Sequence, residues 1–117
     1  MELSFSDLTA LLTAHWFGDY VLQTNIIAKE KSRSIKWLLI HVALYTVVIS
    51  ICTVLIFPRD MWMSFIAING LLHLVTDFFT SKLTQVFCSN QRIYFIIIGF
   101  DQMIHSITLL GSIYLIA

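Results

Sequence analysis

With 117 residues, of which 58% are hydrophobic and only 12% charged, the chain falls well short of the roughly 25% charged content usual in a water-soluble domain. Mean hydropathy is +0.85 and formal net charge is zero, which excludes a well-solvated globular surface and removes any electrostatic case for a nucleic-acid partner. These properties predict one all-α transmembrane domain covering residues 1–117, with membrane lipids as its surroundings.

A helix crosses the hydrocarbon core with about 20 apolar residues, within a range of about 17 to 25. The first such stretch, Leu3 to Asn25, is also the most polar, carrying Asp7, His15, Asp19 and Gln23. Met1-Glu2-Leu3 offers no basic leader and no Ala-x-Ala site follows, so a cleavable signal is not expected. The second span, Trp37 to Phe57, is rich in Leu, Val and Ile, with His41 near its start. Pro58, the only proline, separates it from a third span, Met61 to Ser81, which holds Asn69, His73 and Asp77; a proline belongs at such a junction, where it damages no helix interior. The fourth, Ile93 to Ala117, holds Asp101, Gln102 and His105. Cys52 and Cys88 show no metal or disulfide spacing and read as small apolar fillers. Gly18, Gly70 and Gly99 read as sites of close helix approach.

Loop 26–36 contains Lys29, Lys31, Arg33 and Lys36, and loop 82–92 contains Lys82 and Arg92, against Arg59 alone in the middle turn. The positive-inside rule then puts both basic loops in the cytoplasm and both termini on the outer side of an inner membrane, as a four-helix bundle. The basic residues are assigned mainly to setting this topology.

The chemistry lies in a repeated spacing. His15 and Asp19, His73 and Asp77, and in reverse order Asp101 and His105, are each four residues apart, so each pair shares one helix face. With His41 these pairs use all four histidines. Counted from the predicted cytoplasmic ends, Asp19 lies six residues deep, His41 four, Asp77 four and Asp101 eight. Ionisable groups at membrane depth cost at least about 2.5 to 3.5 kcal/mol each, so they are expected to face inward and meet. Imidazole and carboxylate without thiolate suit zinc, with iron or manganese as alternatives. Seven ligands, His15, Asp19, His41, His73, Asp77, Asp101 and His105, exceed the four of one tetrahedral ion, which suits two ions sharing carboxylates or one ion beside a general base. His15 and Asp19 are the candidate catalytic pair, and Gln23 and Gln102 are expected to orient substrate or water. Asn69 and Ser81 extend the face of the third span, and Thr108 and Ser112 that of the fourth.

The run His15-Trp16-Phe17-Gly18-Asp19-Tyr20-Val21-Leu22-Gln23, then Ala28-Lys29-x-Lys31, His41, His73-x3-Asp77 and Asp101-Gln102-x2-His105, resembles a family of small bacterial and phage membrane proteins catalogued as domain of unknown function 3307. That resemblance covers nearly the whole chain and implies a four-helix fold and a candidate site, without an activity. A more distant likeness, of architecture alone, is to membrane-bound metal-dependent hydrolases.

The expectation is a divalent-metal site opening to the cytoplasmic leaflet, serving hydrolysis of a lipid-associated substrate. Two alternatives use the same residues: an ion, proton or metal transporter or channel, and a small regulatory or phage-immunity protein in which the metal is structural. Homo-oligomerisation is expected in view of the small size.

Overall fold

A computed structural model of the chain describes residues 2–116; Met1 and Ala117, the last residue of the predicted fourth span, lie outside the described residues. Among the described residues the regular structure is helical throughout. Helix α1 (Phe5–Trp16) starts in a reciprocal cap, in which the Ser4 hydroxyl accepts from the Asp7 amide while the Asp7 carboxylate accepts from the Ser4 amide. Such a cap satisfies two of the helix's free amides at once. The helix does not run on to Asn25. It widens into a π turn, Phe17–Val21, and stops at Leu22, whose amide reaches back five residues to the Phe17 carbonyl at 3.1 Å.

The first basic loop contains a further short helix. Thr24 caps α2 (Asn25–Glu30) by accepting from the Ile27 amide, and Ile27 is buried beneath it. Helix α3 (Ile35–Ile56) ends at Phe57-Pro58. A single 3₁₀ turn, Arg59–Met61, follows, pinned by the Trp62 indole donating to the Phe57 carbonyl at 2.8 Å. Helix α4 (Trp62–Val86) runs five residues past the predicted end at Ser81, because nothing between Ser81 and Val86 breaks it. Lys82 therefore stands on a helix, not in a loop. Helix α5 (Gln91–Ile116) begins where the Asn90 side chain accepts from the Ile93 amide. The connection between α4 and α5 shrinks to residues 87–90, and Arg92 joins the first turn of α5.

Helix α4 packs against α3 and α5, while α1 lies on α3 and also touches α5, closing a ring of four. Three segments, Ile35–Ile56, Arg59–Val86 and Gln91–Ile116, are long and apolar enough to cross a membrane. The 22 residues of α3 rise about 33 Å at 1.5 Å each, matching a hydrocarbon core of about 30 Å. The first predicted span is shorter than expected, since α1 contributes 12 residues and the π turn five.

Burial is inverted relative to a soluble bundle. Val47, Ile51, Leu55, Leu71, Phe79 and Ile107 are exposed, whereas all four histidines and Asp19, Asp77 and Asp101 are buried. The apolar core that does exist occupies one end of the bundle. Leu11, Ile49, Phe57, Met61, Phe65, Leu109 and Ile113 pack there with Tyr45. Of the three glycines expected to allow close approach, Gly18 and Gly70 do so: a Cβ on Gly18 would stand 3.2 Å from the Tyr45 backbone, and one on Gly70 would stand 3.2 Å from the Thr46 hydroxyl. Gly99 differs from the expectation, because a Cβ there would meet nothing within 4 Å.

Candidate metal centre

Each long helix brings its polar face to the end of the bundle opposite the apolar core. The α1 segment supplies His15 and, from the π turn, Asp19. Helix α3 supplies His41 from its second turn, α4 His73 and Asp77, and α5 Asp101, Gln102 and His105. The π turn acts here in two ways. It widens the helix just where Gly18 lets it settle on the Tyr45 backbone. It also carries Asp19 to His41, 3.0 Å away, while His15 stays 3.8 Å from Asp19. Single π turns of this kind often mark functional positions.

Asp19, His41, His73 and Asp77 form one group whose ligand atoms all lie within 4.8 Å of one another, and all four are buried. The His41 Nε2 is 3.0 Å from Asp19 Oδ1 and 3.0 Å from Asp77 Oδ2. The His73 Nε2 is 3.2 Å from that of His41, 3.5 Å from Asp19 Oδ1 and 3.7 Å from Asp77 Oδ2. Four ligands held about 2.0 to 2.2 Å from a tetrahedral ion stand about 3.3 to 3.6 Å apart. The observed separations bracket that range, so these side chains can hold a metal ion.

Asp19 also belongs to a second buried group with Asp101 and His105. The His105 Nδ1 lies 3.1 Å from Asp101 Oδ2, and its Nε2 lies 3.3 Å from Asp77 Oδ1. Despite these distances, both His105 nitrogens and Asp77 Oδ1 lack an aligned hydrogen-bond partner, as do the Nδ1 atoms of His41 and His73. Buried polar atoms left unpaired are costly. Helix glue would pair them, whereas a cation would satisfy several at once.

The remaining polar side chains hold the ligands in place. The two amide hydrogens of Gln102 go to Asp19 Oδ2 and Asp101 Oδ2, each at 2.9 Å. Its carbonyl oxygen is 3.0 Å from His15 Nε2, and the Tyr45 hydroxyl is 3.3 Å from His15 Nδ1. The donors resolve this chain in one direction: Tyr45 O–H to His15 Nδ1, His15 Nε2–H to Gln102, and the Gln102 amide to both carboxylates. Both nitrogens of His15 are thus occupied, and it stands outside the two ligand groups. Thr80 donates its hydroxyl to Asp101, and the Tyr45 ring stacks on His73 with centroids 4.0 Å apart. Asn69, one turn from His73, donates to Ser112 at 2.9 Å. Ser81 is buried with an unpaired hydroxyl, and Thr108 turns back to its own helix carbonyl.

Sequence reasoning missed three members, Lys31, Tyr45 and Thr80. Lys31, assigned mainly to topology, reaches in from beyond α2 to place its ammonium 3.0 Å from Asp77 Oδ2. Tyr45 gave no signal among the apolar residues of its span. Helical periodicity alone could have found Tyr45, which lies four residues from His41. Lys31 is marked only by the Ala28-Lys29-x-Lys31 run of the family resemblance, which gives it no partner.

A cavity of about 100 Å³ leads to this cluster. Asp19, Asp101 and Gln102 line it together with Ala28, Lys31, Thr84 and Tyr94. Gln23 also lines it, with a buried, unpaired side-chain oxygen.

Fold and site together define a class: a helical protein with three segments apolar enough to cross a membrane and a buried His/Asp cluster able to hold a metal ion. Within it, the family profile described as "Protein of unknown function (DUF3307)" matches residues 8–116, and the chain belongs to that family. No curated protein matches it, and no solved structure does either.

Proposed function

We propose that this is a four-span inner-membrane protein whose buried centre holds one or two divalent cations and hydrolyses a lipid-associated substrate admitted from the cytoplasmic side. The observation that carries this reading is the convergence of six ligand residues from four helices, with buried ligand atoms left unpaired. Charge supports it. Asp19, Asp77 and Asp101 meet one ammonium, that of Lys31, among the described residues, so with neutral histidines the cluster carries two uncompensated negative charges. A divalent ion balances them, and uncompensated buried charge is strongly destabilising. Imidazole and carboxylate donors favour zinc, followed by iron and manganese. The shared carboxylate of Asp19 suits a second ion.

When bound, the ion supplies a Lewis acid and brings the pKa of a water near 7. The chain's own residues position and relay. Gln102 fixes two carboxylates, Tyr45 and Gln102 fix His15, and Tyr45 fixes the ring of His73. His15 stands beside Asp19 without entering either ligand group, and with both ring nitrogens hydrogen-bonded it holds Gln102 against the two carboxylates. In hydrolysis the water oxygen would join the carbonyl or phosphoryl centre as the bond to the departing oxygen or nitrogen breaks, with one water proton passing by way of a cluster carboxylate to that leaving group.

Transport is the rival reading of the same residues. The packed cluster of Leu11, Phe65, Leu109 and their neighbours lies between the centre and the far end of the bundle, which favours a pocket closed at one end over a conducting path. Elemental analysis of the protein purified in mild detergent tests the proposal, beside Asp19→Ala and Asp77→Ala. One or two equivalents of zinc, iron or manganese, lost in both variants, are expected. A folded wild type without metal would sink it.

A further inference from the structure

A second cavity, of about 80 Å³, lies beside the first and shares Lys31 with it. Three of its lining residues are cations, Lys31, Arg33 and Lys82, and its lining contains no carboxylate. Ser32, Ser34 and Phe78 complete much of the wall, and Ile35 opens α3 on its floor. Generic positive-inside lysines project freely into water, but two of these three are held. The Lys31 ammonium is drawn inward to Asp77. The Lys82 ammonium is 3.4 Å from the Ser32 carbonyl and 4.7 Å from the centre of the Phe78 ring. The first amides of the 22-residue helix α3 start here without a side-chain cap, so they and the positive end of the helix dipole add to the field. Lys31 is already paired with Asp77, but Arg33 and Lys82 have no ion-pair partner among the described residues, and such like charges repel across a cavity unless an anion sits between them.

We propose that Lys31, Arg33 and Lys82 form a phosphate-binding subsite adjoining the metal centre, and that the substrate class is a phosphate-bearing lipid. This assignment of substrate rests on the hydrolase reading above, whereas the subsite itself stands on the cavity and its charges. Lys31 is the hinge of the arrangement. It touches Asp77 on one side and lines the cationic cavity on the other, so a phosphate group held there lies against the metal ligands. The neighbouring surface suits the rest of such a molecule: Phe78, Phe79 and Leu39 are exposed, and acyl chains of a headgroup seated in this cavity would run along that apolar face.

The test uses the full-length protein in mild detergent and isothermal titration with three probes: a short-chain phosphatidic acid, the matching diacylglycerol, and inorganic phosphate. The double variant Arg33→Gln/Lys82→Gln is titrated in parallel, because both side chains are exposed and their loss leaves the core intact. Phosphatidic acid should bind the wild type, diacylglycerol should not, and the double variant should bind phosphatidic acid about tenfold or more weakly, with unchanged metal content. Equal binding by wild type and double variant would overturn the subsite while leaving the metal reading standing. Inorganic phosphate binding as tightly as phosphatidic acid would overturn the lipid assignment. Binding that depends on Arg33 and Lys82 in a protein that holds no metal would uphold the subsite and overturn the hydrolase reading.

Discussion

The two ends of this bundle are made from the same four helical segments, yet they are held together by different physics. At one end Phe57 and Phe65 pack ring to ring with centroids 4.5 Å apart, enclosed by Leu11, Ile49, Met61, Leu109 and Ile113. At the other, three carboxylates, four imidazoles, an amide and an ammonium converge with several buried atoms unpaired. The boundary is the pair Asn69 and Ser112. An apolar end of this sort is satisfied by its own packing. The polar end leaves several buried ligand atoms without a partner from the chain, and this contrast locates the candidate site more firmly than any single residue does.

The contrast can be broken from either side. The largest effect is expected at the polar end, where Asp77→Ala should reduce metal content from one or two equivalents to none, read by elemental analysis with helical content monitored by circular dichroism. Stripping the wild type with a chelator should lower its thermal midpoint, and the same chelator should leave Asp77→Ala unmoved, since a ligand stabilises only the state that binds it. At the apolar end, Phe65→Ala should cost about 3 to 5 kcal/mol of unfolding free energy and yet retain its metal. Loss of metal there would mean that the two ends are one cooperative unit.

Smaller effects sharpen the boundary. Gln102→Ala leaves every ligand in place but frees Asp19, Asp101 and His15 together, so metal affinity should fall about 10- to 100-fold, measured by competition with a chromophoric chelator. Gly18→Ala places a methyl against the Tyr45 backbone and should cost about 1 to 3 kcal/mol, with weakened metal binding because Asp19 is the next residue. Gly99→Ala has open space around it and should be neutral or stabilising by up to about 1 kcal/mol, the helix preference for alanine. A pair of glycine variants with equal effects would contradict the packing described for the π turn.

Much of this was readable in the chain itself. Length and composition determined helices and excluded a solvated domain, and the spacing of four determined that each histidine shares a face with its carboxylate. The cost of exposing such groups to lipid determined that they turn inward, as their burial shows. What the sequence could not decide is which faces meet, because residues 46 positions apart, such as Lys31 and Asp77, or 83 apart, such as Asp19 and Gln102, leave no local period. His15 and His73 look equivalent in sequence, each four residues before an aspartate. Only the packed structure separates them: the π turn and the close seat of Gly18 on Tyr45 give His15 to Tyr45 and Gln102, while the continuous helix α4 delivers His73 to His41. The same holds for Lys31, whose charge the sequence assigns to a loop and whose position the fold of α2 assigns to the centre. Local spacing sets what a helix can present; the contacts between helices select which of those groups act together.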